Sequence, residues 1–287
     1  MKDIITLLRP HQYVKNLFVF MPLIFALNLN LSGFTETALV FVLFSMLSSS
    51  VYVINDYCDI REDRRHPTKK NRPLASGAVS IKSGFILSGV LSSSSLVAAY
   101  FLNSELLFVL LFYFLLNIAY SYKLKHIPVV DIFVIATGFV LRLFAGASVT
   151  NTHLSMWIVI ITFLLAIFLA LAKRRDDVLL SMKGHNTRKS IDGYNLEFVN
   201  ASMTLMAAVV IVSYLQYTVS AEVIGRIGSD NLFFSAFFVI LGILRYMQIT
   251  FVEGKSGSPT KIVLKDRFMQ ISILLWLISF YAIVKIQ

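Results

Sequence analysis

Cysteine is almost missing from this chain: a single one, Cys58, stands in 287 residues, which excludes any intramolecular disulfide. Charge is scarce too, at 15% of residues, and acids are the scarcer sign, with 16 Asp and Glu against 26 Lys and Arg. So little charge beside 57% hydrophobic residues and a mean hydropathy of +0.74 is too apolar for a soluble domain and marks an integral membrane protein. Glycine (13) and proline (6) are few enough to let helices run long. The apolar runs approach twenty residues, unlike the ten-residue alternating segments of a membrane barrel, so a helical bundle follows. No cleavable leader is expected, since Arg9, His11 and Lys15 precede the first apolar run and no small-residue cleavage site follows it. No soluble domain, aromatic platform or low-complexity tail accompanies the basic charge, which argues against nucleic-acid binding.

The apolar runs predict nine transmembrane helices, at 14–31, 36–55, 80–102, 105–122, 129–149, 153–172, 197–220, 231–250 and 267–285. All Lys and Arg except Arg142, Arg226 and Lys285 fall in the N-terminal segment or in the loops 55–82, 123–125, 173–195 and 245–267. The positive-inside rule therefore places the N-terminus and these four loops in the cytoplasm. The net charge of +10 becomes a one-sided field that attracts anionic head groups and phosphorylated metabolites. For each cation taken singly, topology alone is the competing explanation. Residues 251–266, with Gly254, Gly257 and Pro259, read as a flexible connection. The expectation is one all-α integral membrane domain over 1–287, in which charged loops after the second and sixth spans hint at a duplicated four-helix unit. The sequence leaves the oligomeric state open, a homo-oligomer included.

Where the second span leaves the membrane, four acids and an amide gather: Asn55-Asp56-Tyr57-Cys58-Asp59-Ile60-Arg61-Glu62-Asp63. On a continuing helix, Asn55, Asp59 and Asp63 fall at i, i+4 and i+8 on one stripe with Asp56 beside them. Oxygen ligands so placed suit a hard cation, and Mg²⁺ is usually held by one or two carboxylates plus water and phosphate oxygens, which implies a phosphorylated substrate. Cys58 is a poor ligand in such a set. The basic run that follows, with Lys69 and Arg72, is placed to grip phosphate. Tyr52 lies one turn before Asn55, where it meets substrate or serves as an interfacial anchor. Because Asp59 sits at the aqueous end of its helix, Asp59→Asn is expected to leave folding intact.

Asn-Asp-x-x-Asp-x-x-x-Asp after the second of nine spans resembles the first aspartate motif of the UbiA-type intramembrane prenyltransferase superfamily. Three stretches are similar to its decaprenyl-phosphate phosphoribosyltransferase branch: Leu8-Arg9-Pro10-His11-Gln12-Tyr13-Val14-Lys15-Asn16, the Asp63-Arg64-Arg65-His66-Pro67 continuation with Lys69 and Arg72-Pro73, and residues 120–131 leading to Gly138-Phe139-Val140-Leu141-Arg142. The resemblance implies a UbiA-like bundle and transfer of phosphoribose from 5-phosphoribosyl 1-diphosphate to a polyprenyl phosphate in the inner membrane. Two departures stand out. The second Asp-x-x-x-Asp of prenyl-diphosphate users is replaced by Lys173-Arg174-Arg175-Asp176-Asp177, with no acid four residues after either Asp. The usual Tyr-x-x-x-Lys is stretched, since Lys125 follows Tyr120 by five.

Arg142 sits inside an apolar span, where a charge is costly unless paired or facing a polar cavity, so a functional role is the default and structural pairing the alternative. On this resemblance Mg²⁺, held by Asn55, Asp56, Asp59 and Asp63, binds the donor diphosphate, and Asp59, Asp63 and Arg142 act in catalysis. Lys69 and Arg72 hold the donor's 5-phosphate. Lys15 with Asn16, Lys123 with Lys125, and Lys173 line one cavity mouth, and Lys15, Lys125, Arg142 and Lys173 position the lipid phosphate. The competitors are a prenyltransferase acting on an aromatic or other small acceptor and a transporter of a phosphorylated metabolite. Transporters place their sites at the midplane, whereas these acids lie at the surface.

Overall fold

In the computed structural model, residues 2–25, 30–66, 68–150, 152, 154–183, 189–254 and 259–285 are described. Helices and their connections account for all of these, with no strand among the described residues. Contacts divide the chain into two compact units, residues 1–154 and 155–287.

The first unit opens with α1 (Lys2–Leu8), a 3-10 segment (Pro10–Phe20) and α2 (Met21–Phe25). The long α3 (Leu31–Cys58) leads into short α4 (Ile60–Arg65) and α5 (Pro73–Ser76), then α6 (Ile81–Leu102), α7 (Ser104–Tyr122) and α8 (Val130–Thr150). The second unit holds α9 (Met156–Met182), α10 (Leu196–Val219), α11 (Ala221–Ile227), α12 (Ala236–Phe251), α13 (Pro259–Lys265) and α14 (Arg267–Lys285). Among the described residues, eight helices are long and apolar enough to cross a membrane, and they coincide with the second to ninth expected spans.

The first expected span, 14–31, is not one helix. Pro10 sits at the start of a 3-10 run and Pro22 is the second residue of the short α2, while residues 26–29 lie outside the described residues. The sixth span is longer than its apolar run, because α9 continues through Arg174, Arg175, Asp176 and Asp177 to Met182. Nor is 251–266 simply a flexible connection: α13 occupies Pro259–Lys265, and Asp266 accepts from Arg245 Nη2 at 2.7 Å and from Met269 N at 2.8 Å. That guanidinium holds the Asp266 carboxyl below the usual range.

Polar side chains set the helix ends. Asn30, Ser80, Asn103 and Asn195 each accept from a backbone N–H in the first turn of α3, α6, α7 and α10. Asn103 does this as the single residue between α6 and α7, which makes a tight turn possible. In the first unit α3 is the central helix, packed on α6, α7 and α8. Small residues bring α3 and α6 together: Ser50 Oγ donates to Ser88 O at 2.9 Å, and Ser95 Oγ to Leu43 O at 2.9 Å. Phe44, Leu47, Leu106, Leu110, Leu143 and Ala145 are buried in the unit's core. The 3-10 segment crosses α8 at Gly146, where an added Cβ would stand 1.9 Å from Val19 O. Only glycine permits this approach.

Candidate active site

The acidic stretch straddles a helix break. α3 ends at Cys58, and Asp59, at φ −94° and ψ 0°, joins it to α4. The backbone ladder nonetheless continues, with Asp59 N donating to Asn55 O at 3.0 Å and Asp63 N to Asp59 O at 2.8 Å. Asn55, Asp59 and Asp63 thus keep their one-turn spacing across the break. Asp56, Asp59 and Asp63 are all buried, at 2%, 6% and 3% exposure.

Buried carboxylates need partners, and each of these has a cation. Arg9 and Arg72 both donate to Asp56 Oδ1, the latter at 3.1 Å, and Arg72 reaches Asp63 Oδ2 at 2.7 Å. Lys125 donates to Asp59 Oδ1, while Asn55 Nδ2 donates to Asp59 Oδ2 at 3.1 Å. Arg9 is held in the left-handed region, at φ 54° and ψ 56°. The following Pro10 disfavours the right-handed helix there, and strain of this kind gathers at functional sites. Burial draws the Arg9 guanidinium below its ordinary pKa, against the pull of Asp56.

One oxygen is left over. Asn55 Oδ1 is buried with no hydrogen-bond partner, and it belongs to the amide already bonded to Asp59. A buried orphan carbonyl oxygen next to a carboxylate fits a hard cation. No three carboxylate, imidazole or thiol groups converge to hold an ion by themselves among the described residues. The donor set matches an ion that takes few protein ligands and completes its shell from substrate oxygens.

A second polar centre lies deeper. Arg142 is buried on α8, its Nε donating to Asn16 Oδ1 at 2.9 Å, Nη1 to Gly138 O at 2.6 Å and Nη2 to the Tyr113 hydroxyl at 3.4 Å. The rings of Phe44, Tyr113 and Phe139 face its guanidinium at 4.7, 5.2 and 5.3 Å. A lone charge at a helix centre costs about 3 kcal/mol, and this box offsets it. Asn16 in turn donates to Ser45 Oγ at 2.9 Å and Ser48 Oγ at 3.3 Å. Lys15, half-buried, lies within electrostatic reach of Arg142 and Arg9. Tyr52 lies within reach of both arginines, Tyr13 and Tyr113, and its ring faces the Arg9 guanidinium at 5.3 Å.

Of the expected site residues, the first unit brings Asn55, Asp56, Asp59, Asp63, Arg72 and Lys125 into one ion-paired cluster, and Asn16 with Arg142 into another. Lys125 stands against Asp59, because α7 ends at Tyr122 and a 3-10 turn, Leu124–His126, carries Lys125 inward. The same helix end explains the stretched Tyr120-to-Lys125 spacing. Lys123 is exposed. Lys69 is half-buried on a 3-10 turn whose backbone N–H donates to His66 Nδ1 at 3.3 Å. Lys173 is exposed on α9 of the second unit. Arg9 is the cation that sequence reasoning did not assign to the site, although it stands directly before Pro10 in the Leu8–Asn16 stretch that carries the resemblance.

Residues 17–272 match the model of the UbiA prenyltransferase family. The chain is 31% identical over 286 residues to a decaprenyl-phosphate phosphoribosyltransferase of Mycolicibacterium smegmatis, covering 96% of this chain and 90% of that one. It is 31% identical over 282 residues to a protein of the same name from Mycobacterium tuberculosis, covering 96% and 91%. Its fold is similar to the structure of a UbiA homolog from Archaeoglobus fulgidus bound to GPP and Mg²⁺, with a TM-score of 0.72 at 20% identity over 98% of this chain and 99% of the other.

Proposed function

Since the chain belongs to the UbiA prenyltransferase family, it is a multi-pass membrane transferase, and we propose that it moves 5-phosphoribose from 5-phosphoribosyl 1-diphosphate onto a polyprenyl phosphate, releasing diphosphate. The observation that carries this reading is the pairing of each of Asp56, Asp59 and Asp63 with a cation, Arg9, Arg72 or Lys125, while Lys15 and Arg142 form a second basic locus. Two phosphate grips suit two phosphorylated partners better than one diphosphate and an uncharged ring. The absence of a second Asp-x-x-x-Asp and the names of the relatives support the same choice.

Asn55 Oδ1 and Asp59, with help from Asp56 and Asp63, would hold Mg²⁺. When bound, the ion offsets charge that builds on the departing diphosphate as the ribose becomes oxocarbenium-like. Arg9, Arg72 and Lys125 hold the diphosphate, and Lys69 takes the 5-phosphate. Asn16 fixes Arg142, which with Lys15 orients the lipid phosphate, and Lys123 draws phosphates toward the site. The acceptor is already anionic at neutral pH and needs no general base. Cys58 lies among the proposed metal ligands and the aspartates are committed to the ion, so the expected route is direct, with the acceptor oxygen attacking C1 opposite the leaving group.

The purified protein supplied with each donor in turn is the test. Release of diphosphate from the phosphoribosyl donor and a β-linked lipid product from the α donor are expected. A product retaining the α configuration would rule out single displacement. Turnover of a prenyl diphosphate with no response to phosphoribosyl diphosphate would rule out the substrate assignment.

The donor is cytosolic on this reading, so the site faces the cytoplasm from the inner membrane. Cys58, half-buried at the end of α3, reports on that. A membrane-impermeant maleimide is expected to label it in inverted vesicles and not in intact cells. Labelling from outside intact cells would reverse the orientation.

A further inference from the structure

Lys125 is in an unusual position for a phosphate-binding lysine. Its side chain is 3% exposed and is committed to Asp59 Oδ1. The other oxygen of that carboxylate takes the Asn55 amide, whose own Oδ1 is the buried orphan. An ion bound between Asn55 and Asp59 therefore arrives beside a buried ammonium. Like charges so close, away from water, repel strongly, and a lysine on a three-residue turn between two spans has little room to withdraw to solvent. It must acquire another anion.

We propose that Lys125 is an exchange counter-ion: it holds Asp59 until the metal arrives and then passes to a phosphate oxygen of the donor, so that metal and diphosphate bind together and neither binds well alone. Arg9 and Arg72 act alike at Asp56. They meet on one oxygen, Arg9 through Nη2 and Arg72 through Nη1. The remaining N–H groups of both guanidinium forks suit diphosphate oxygens. Lys125 thereby decides which metal forms are admitted, favouring an ion that carries a diphosphate over the free ion. The inference rests on the reading that the site takes a metal-bound diphosphate, and is indifferent to the group the diphosphate leaves.

The test uses the full chain in detergent, Mn²⁺ as the metal probe read by electron paramagnetic resonance, and inorganic diphosphate as the anion, with the soluble Mn²⁺–diphosphate complex measured separately. In the unaltered protein, diphosphate should tighten Mn²⁺ binding by about tenfold or more, and by reciprocity Mn²⁺ should tighten diphosphate equally. Lys125→Ala should tighten Mn²⁺ alone while shrinking the effect of diphosphate below roughly threefold. Lys125→Arg, which keeps the charge, should retain most of it. Equal Mn²⁺ affinity with and without diphosphate in the unaltered protein overturns the proposal, whether or not the variants accumulate. Full coupling in Lys125→Ala overturns it as well. A protein that turns over only prenyl diphosphates would sink the phosphoribosyl reading and leave these binding results unchanged.

Discussion

Asp59→Asn should lower turnover by roughly a hundredfold or more, because it removes a charged ligand of the proposed metal site while keeping the side chain's size. It should also lower the amount of folded protein. Asp59 is 6% exposed and its partner Lys125 2%, so this is not a group at the aqueous end of a helix, as its place in the sequence implies. Removing one half of a buried ion pair costs about 3–5 kcal/mol, largely through the charge left behind. A companion variant separates the two losses. Asp59→Asn combined with Lys125→Met leaves no orphan ammonium and should recover accumulation without recovering turnover. Activity of Asp59→Asn within a few-fold of the parent would remove Asp59 from the site.

Gly146→Ala should be the most destabilising single methyl in the first unit. The added Cβ would meet Val19 O at 1.9 Å and Val19 C at 2.9 Å, and a backbone carbonyl cannot rotate aside as a side chain can. Relief requires the 3-10 segment to lift off α8, which draws Asn16 away from Arg142. The expected loss is about 3 kcal/mol or more, at or beyond the usual range for overpacking. It is read as a lowered Tm in detergent and a lowered kcat/KM for the acceptor. Gly89→Ala, on α6 with nothing within 4 Å of the added atom, is the matched control. A parent-like Tm for Gly146→Ala would show that the contact is not held in solution.

Hydropathy located the membrane-crossing helices because it measures the transfer of side chains into lipid, and eight of the expected runs became helices. It says nothing of backbone geometry, so it could not tell that the stretch after Pro10 takes the tighter 3-10 form. Nor does it mark where a helix stops. α9 runs on through Arg174 and Asp177 because these residues are tolerable helix formers outside the membrane. At the site, the aspartates were legible from local spacing, and Arg142 from its charge in an apolar run. Their partners were not: Arg9 reaches Asp56 across 47 residues, Lys125 reaches Asp59 across 66, and Asn16 meets Arg142 across 126. Lys123 and Lys125 look equivalent in sequence, yet Lys123, at the cap of α7, is exposed while the 3-10 turn that follows turns Lys125 inward. Contacts of such long separation are set by how helices pack, which no local pattern encodes.

The 3-10 geometry near the N-terminus also carries a rule about length. With three residues per turn, side chains three apart lie in one row, and the row here is Tyr13, Asn16 and Val19. Tyr13 meets Ser49 at 2.8 Å, Asn16 meets Ser45, Ser48 and Arg142, and Val19 lies on Gly146. On an α-helix the same three positions would fan apart. Substitutions between them, at Val14, Leu17 or Phe18, change what flanks the row. Inserting or deleting one residue shifts every later tooth of the row by a third of a turn. Related chains can therefore drift in the identity of this segment, but they should keep its residue count.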